Sequence, residues 1–301
     1  MINKILITGV QGLVGSRFVE LYANRDELLT PGISEFDFLD PSLMKKYLKG
    51  KNVGCVINFA AYTDVGGAEK QRGNNNGMCW KVNVSGIQNL IKLFNKKRVF
   101  FIHISTDMVF PGNKEDPGPY EENHKLIENP DKLTWYGYTK GEGERIIKGA
   151  FKNYAILRII YPVRAKYDMK LDFLRKPLKL YNEGKLYPLF KDQQINITFI
   201  DEACKVINKL IKEKKTGMYH CSSCDTTSPY EIVKYLIEAK YSVKDDVKSI
   251  SIYDFLKDID NPVRYPIFSG LKVVKTEKAL GIIYSSWKGI VDQLIRQNIT
   301  P

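Results

Sequence analysis

Lys4-Ile5-Leu6-Ile7-Thr8-Gly9-Val10-Gln11-Gly12-Leu13-Val14-Gly15 is the stretch that decides the fold. Lys4 to Thr8 reads as a short buried strand. The glycines follow at once, and a helical pattern of Leu13, Val14, Phe18, Leu21 and Tyr22 follows them. In the order strand, turn, helix, the glycines serve separate ends: a tight turn at Gly9, close backbone approach to a pyrophosphate at Gly12, and close helix-to-strand packing at Gly15. The spacing therefore predicts a dinucleotide site, with the helix N-terminus facing the phosphates.

Working outward, Val53 to Phe59 and Val99 to Ser105 are near-continuous apolar runs of strand length, as parallel strands covered on both faces should be. Asn83 to Phe94 and Tyr136 to Ile147 read as helices, and Tyr154 to Ile160 as another buried strand. The expected class is α/β: a doubly wound parallel sheet, the Rossmann arrangement, with a smaller C-terminal substrate domain. Ligands in such sheets bind beyond the carboxyl ends of the strands, where Gly9, Ala60-Ala61, Ser105-Thr106 and the helix carrying Tyr136 converge. The second strand, Glu27 to Thr30, ends in Thr30-Pro31 rather than in a carboxylate that binds ribose hydroxyls. A 2′-phosphate is then not repelled, and Arg17 is a candidate contact for it. The expected cofactor is NADP or NAD.

Tyr136-Gly137-Tyr138-Thr139-Lys140 sets a phenol and an ammonium four residues apart, on one helical face. A lysine held beside a tyrosine favours the phenolate, and so is expected to bring the tyrosine down towards the range of acid–base work. Tyr138 lies only two residues from Lys140 and is excluded by that spacing. Ser105 and Thr106 are both candidates for a third polar group; alternation along a strand sends them to opposite faces.

The chain has 301 residues, 44% hydrophobic and 27% charged, a composition that excludes disorder. The start leads straight into a strand, with no signal-peptide pattern or transmembrane candidate, so a cytoplasmic protein is expected. Five cysteines, an odd number, fit a reducing compartment. Cys221 and Cys224 alone have metal or redox spacing, but no second pair completes a zinc site, so no metal is expected. The net charge of +12 comes from short lysine groups such as Lys45-Lys46, Lys96-Lys97-Arg98 and Lys212 to Lys215, read as helix ends and solvated faces. Without a nucleic-acid module, the basic balance suits an anionic small molecule such as a nucleotide diphosphate.

Together these residues resemble an extended short-chain dehydrogenase of the dTDP-4-dehydrorhamnose reductase family. The resemblance runs the length of the chain: the glycine turn, Asp37 to Asp40, Val56 to Thr63, Ala68-Glu69, Ile104 to Phe110, Pro119 to Glu122, Tyr136 to Lys140 with Gly143-Glu144, and Leu157-Arg158. Asp192-Gln193, Gly217 to His220 and Lys275 to Gly281 with Trp287 also match. It implies a triad of Thr106, Tyr136 and Lys140. In that triad Tyr136 protonates a carbonyl oxygen as hydride reaches its carbon, Thr106 hydrogen-bonds that oxygen, and Lys140 lowers the tyrosine pKa and binds the nicotinamide ribose. It implies cofactor contacts at Gly9, Gln11, Gly12, Leu13, Val14, Gly15, Asp37, Phe38, Ala60, Ala61, Tyr62 and Lys140. It also implies a nucleotide-binding domain of residues 1–160 with 196–220, and a substrate domain of 161–195 with 221–301. A nucleotide sugar is the implied substrate, with nucleic acid and membrane excluded and a homodimer left open.

The chain departs from the family at its substrate end. Val65-Gly66-Gly67 stands where Val-Asp-Lys is usual, Ile159-Ile160-Tyr161 replaces Thr-Ser-Trp, and the Arg-Pro-x-Asn-Ser pattern becomes Arg264 to Ser269 with the Asn lost. Gln71 to Met78 is an Asn-rich insertion read as a mobile loop. The expected function is NAD(P)H-dependent reduction of a 4-keto nucleotide sugar. A nucleotide-sugar epimerase or dehydratase is the second reading, disfavoured as a dehydratase because Asp107-Met108 offers one acid. A non-catalytic NADP-binding regulatory subunit is the third, and the retained triad argues against it.

Overall fold

The structure is a computed structural model that describes residues 4–94 and 98–301; the Lys96-Lys97 part of one basic group lies outside the described residues. The chain divides into two compact units, Met1–Val109 with Lys125–Arg158 and Cys204–Tyr219, and Phe110–His124 with Ile159–Ala203 and His220–Pro301. The second is nearly as large as the first.

The first unit is built on a parallel sheet. In chain order its elements are β1 (Lys4–Thr8), α1 (Leu13–Leu21), β2 (Leu28–Leu29), α2 (Pro41–Leu48), β3 (Val53–Asn58), α3 (Val65–Glu69), α4 (Met78–Trp80), α5 (Gly86–Phe94), β4 (Phe100–Thr106), α6 (Trp135–Ala150) and β5 (Tyr154–Ile159). With β6 (Pro162–Val163), α7 (Arg175–Asn182), β7 (Leu189–Phe190), β8 (Thr198–Phe199), α8 (Ile200–Glu213) and β9 (Gly217–Cys221), the chain completes a six-stranded sheet in the order β2-β1-β3-β4-β5-β9. Strand order reverses between β1 and β3, so a crevice opens at their carboxyl ends.

Both faces of this sheet are covered, which is why its strands read as apolar runs. Leu6, Val56, Phe101 and Ile156 pack with Leu90, Phe94 and Ile147 from the helices into one core. Parallel register sets Ile7 against Ile57 and Ile57 against Ile102. One residue further on, the same register aligns three polar residues in a row: Thr8 beside Asn58 beside His103.

The helix expected from Asn83 starts earlier, at Met78, and carries a π-helical turn over Lys81–Ser85 before α5. The Asn-rich insertion is held by hydrogen bonds rather than left loose. Gln71 Nε2 donates to the Tyr62 hydroxyl at 3.1 Å, and Gln71 Oε1 accepts from the Cys79 amide at 3.0 Å. Arg72 pairs with Glu69 and donates to the carbonyls of Pro130 and Leu133 at 2.9 and 2.7 Å.

The second unit adds α9 (Pro229–Tyr241), β10 (Ser249–Ile250), α10 (Ile252–Leu256), α11 (Val274–Leu280) and α12 (Trp287–Arg296) around its own core of Leu178, Phe199, Ile232, Leu236, Ile290 and Leu294. Its boundaries differ from the expected 161–195 with 221–301. Phe110–His124 belongs to it because the Tyr120 amide donates to Gly270 and the Gly118 amide to Phe268. Residues 196–203 belong to it because Asn196 donates to the Leu271 carbonyl and the Thr198 amide to Ile160. Among the described residues no helix is long and apolar enough to cross a membrane.

A Cβ on Gly15 would strike the Gly9 carbonyl oxygen, whereas one on Gly149, late in α6, would meet nothing within 4 Å. Gly15→Ala should therefore cost about 1–3 kcal/mol in urea unfolding, as overpacking does. Gly149→Ala should be neutral or stabilising by roughly 0.5–1 kcal/mol, from reduced unfolded-state entropy.

Candidate active site

The glycine turn sits at the strand reversal. Gly9 has φ +70°, which L side chains rarely adopt, and a Cβ there would lie 2.6 Å from the Ala60 amide nitrogen. The ends of β1 and β3 therefore meet at Gly9 and Ala60. Helix α1 starts at Gly12, whose N-cap position carries no side-chain cap, and Gly15 lets the first turn of α1 press against Gly9. Gln11 and Gly12 are exposed, and Leu13 and Val14 half-buried around this cradle. A phosphate fits such a place: bulk is missing, and helix amides supply the positive end of the dipole.

Other cofactor candidates fall around it. Asp37 is half-buried and accepts from the Leu39 amide at 2.8 Å; the Phe38 ring lies against Gly86, where a Cβ would overlap it. Ala60, Ala61 and Tyr62 continue from β3 and are half-buried. Tyr62 is fixed through its backbone, its amide donating to Asn83 Oδ1 at 2.9 Å and its carbonyl accepting from Asn83 Nδ2 at 3.2 Å. Arg17 forms an ion pair with Glu20 at 3.1 Å.

Thr106 ends β4, and Tyr136 and Lys140 stand on the first turns of α6. Thr134 caps that helix by accepting from the Gly137 amide at 3.0 Å, and Glu69 accepts from the Trp135 amide at 2.5 Å. A side chain at Gly137 would collide with the Met108 carbonyl, so this glycine lets α6 start directly against the turn Asp107–Val109. The structure thus brings Thr106 and Tyr136 together, near enough for the Thr106 hydroxyl to act on the phenol. Thr106 also donates to Asp107 Oδ1 at 3.1 Å and accepts from the Met108 amide at 3.2 Å. Ser105, the rival hydroxyl, is buried with no hydrogen-bond partner among the described residues.

The expected downward shift of Tyr136 is corrected. Burial raises its pKa above the ordinary phenol value, the Asp107 charge adds to that, and the neighbouring Thr106 hydroxyl only partly offsets them. Lys140 does not reverse this, because its Nζ is engaged elsewhere: it donates to the Ile104 carbonyl at 2.7 Å and lies 3.1 Å from His103 Nε2. Burial lowers Lys140 to about 8, with Glu144 opposing. Asp107 is pushed up to about 7 by burial, against its hydrogen bonds. Burial thus keeps Tyr136 a phenol and brings both Asp107 and Lys140 towards neutral pH, the pattern of a site that moves protons.

Four residues here were not singled out in the sequence. Asn58, Asn83 and His103 are polar positions inside apolar runs, which is the one signal that marked them; Asp107 was weighed only as a lone acid. The departures at the substrate end also have local causes. A side chain at Gly67 would collide with the Asp64 carboxylate, which caps α3 by accepting from the Gly67 amide at 3.0 Å, and would come within 2.5 Å of the Tyr62 hydroxyl. Tyr161 adopts φ +37°, uncommon for a bulky residue, with its ring 4.3 Å from that of Phe173. Cys221 is buried and Cys224 exposed, both as free thiols; among the described residues no cluster of three or more His, Cys, Asp or Glu is placed to hold a metal.

The chain is similar to known proteins along nearly its whole length. A "dTDP-4-dehydrorhamnose reductase" of Aggregatibacter actinomycetemcomitans is 26% identical over 295 residues, covering 95% of this chain and 96% of that one. A "probable low-salt glycan biosynthesis reductase" of Haloferax volcanii is 27% identical, covering 91% of each chain. Among solved structures, the dTDP-4-dehydrorhamnose reductase of Bacillus anthracis in complex with NADP superposes with a TM-score of 0.83 at 24% identity, covering 98% of this chain and 99% of that one; it shows the shared fold. The family model described as the RmlD substrate binding domain matches residues 3–299, and the chain belongs to that family.

Proposed function

We propose that this chain is a cytoplasmic reductase that uses NADPH or NADH to reduce the 4-keto group of a nucleotide sugar, as in dTDP-4-dehydrorhamnose reduction. The observation that carries the reading is the placement of Thr106 at the carboxyl end of β4 beside Tyr136, with Lys140 buried one turn further along α6. The cradle of Gly9, Gly12 and Gly15 fits a pyrophosphate, and the absence of an acid after β2 leaves room for a 2′-phosphate. Relatives named as reductases of this kind match along nearly the whole chain.

Bound there, the nicotinamide supplies hydride to the carbonyl carbon. The chain's own work is protonic. Tyr136, held above the ordinary phenol pKa, keeps its proton at neutral pH, as a donor in the reductive direction requires. Thr106 shares the same oxygen through its hydroxyl, stabilising charge where it develops. Lys140 brings a buried ammonium one turn away, and Asp107, neutral below about pH 7, spares the site a competing anion.

With a panel of 4-keto nucleotide sugars, loss of reduced-nicotinamide absorbance should match product one for one; product formed without consumption would mean internal recycling, as in an epimerase. Tyr136→Phe should lower kcat on the order of 10²–10⁴-fold while cofactor Kd stays within a few-fold; equal turnover would remove Tyr136 from the chemistry. As pH rises through about 7, Asp107 ionises against Tyr136, lifts the phenol pKa further and weakens it as an acid. Turnover should therefore fall on the alkaline side. Asp107→Asn should flatten the limb near pH 7, and an unchanged profile would assign that limb to another group.

A further inference from the structure

Behind Lys140 lies a buried polar chain that the mechanism above does not use. His103 Nε2 is 3.1 Å from Lys140 Nζ, and His103 Nδ1 is 2.9 Å from Asn58 Nδ2. Asn58 Oδ1 accepts from the Thr8 hydroxyl at 2.5 Å, and Thr8 Oγ1 accepts from the Ala60 amide at 3.4 Å. The register explains why these groups touch: Thr8, Asn58 and His103 are lateral neighbours on β1, β3 and β4. All four side chains are buried, none more than 4% exposed. The row therefore runs from Lys140 to the residue before Gly9 and to Ala60, two parts of the cofactor cradle.

Counting protons gives this row a direction. Burial first, and the Lys140 charge second, keep His103 neutral, so its ring carries one N–H and one lone pair. An ammonium at Lys140 needs Nε2 as acceptor. The ring proton then sits on Nδ1 and calls for the Asn58 amide oxygen. An amine at Lys140 accepts from Nε2–H instead, which frees Nδ1 to accept from Asn58 Nδ2 and leaves Asn58 Oδ1 for the Thr8 hydroxyl, and the Asn58 amide of this structure has that orientation.

We propose that His103 is the positioning residue of Lys140, and that its tautomer follows the charge of the lysine while the Asn58 amide turns over to match. A proton gained or lost at Lys140 is thereby transmitted as a reversal of hydrogen-bond direction to Thr8, at the base of the glycine turn. The groups that face Lys140 are His103 on β4, Cys79 on α4 and Glu144 on α6, the last paired with Arg158 of β5 at 2.7 Å; Tyr136 lies one turn away on the same helix. With Lys140 lowered to about 8, both charge states are accessible near neutral pH. The inference rests on Lys140 belonging to the catalytic group.

The direct test is ¹⁵N NMR of the imidazole nitrogens between pH 6 and 10, with His103 identified by the signal lost in His103→Gln; the other histidines are His124 and His220. The Nδ1–H tautomer is expected below the Lys140 titration and the Nε2–H tautomer above it, with the switch abolished in Lys140→Met. A single tautomer throughout would overturn the proposal. In turnover of the Asp107→Asn background, where the limb near pH 7 is removed, adding His103→Phe should lower kcat on the order of 10²-fold and move the remaining limb, set by Lys140 at about 8, by about one pH unit, with His103→Gln recovering most of both. A loss equal at every pH and not recovered by Gln would also overturn it, reducing His103 to a packing residue. If the wild-type protein reduces no keto sugar, the functional reading fails by itself, and the tautomer titration still decides the role of His103.

Discussion

The rest of the site depends on how one buried amino group is solvated. Lys140 is 2% exposed, and burying an ammonium costs several kcal/mol unless polar atoms replace the lost water. Those atoms come from β4, through the Ile104 carbonyl and the His103 ring, and His103 is in turn held by Asn58 of β3. The seat of the lysine therefore needs two parallel strands in correct register, and that register is fixed by the apolar rows one residue earlier. Core packing and site geometry are one constraint seen at successive positions along the same strands.

A second constraint acts through bulk. Gly9, Gly15 and Gly137 each stand where a Cβ would strike backbone, at Ala60, Gly9 and Met108 respectively. The first two close the cradle around the end of β1, and the third lets α6 deliver Tyr136 to Thr106. Glycine here sets distances between the elements that carry Thr106, Tyr136 and Lys140.

Much of this was legible in the sequence. The turn at Gly9 to Gly15, the apolar runs of β3, β4 and β5, and the placing of Thr106 at a strand end and of Tyr136 and Lys140 on one helix could be read because each depends on local spacing or on resemblance to a known pattern. What escaped depended on three dimensions. A lone histidine in an apolar strand reads as core, and only register reveals that His103 abuts Asn58 and Lys140. The π-helical turn that seats Asn83 leaves no periodic mark, since one extra residue shifts an apolar stripe only slightly. The sign of the Tyr136 shift was misjudged because spacing shows the neighbouring cation but not the burial, which is the larger effect. Phe110–His124 was assigned to the wrong unit because its backbone partners, Phe268 and Gly270, lie far along the chain.

In the proposed reaction Tyr136 gives a proton to the carbonyl oxygen while hydride from the cofactor arrives at the carbonyl carbon. Turnover of a 4-keto nucleotide sugar with nicotinamide deuterated at C4, followed by NMR of the product, tests this most directly. One deuterium is expected at the sugar C4 for each cofactor oxidised, with none entering from solvent at that carbon. Product whose C4 carries no cofactor deuterium would contradict it.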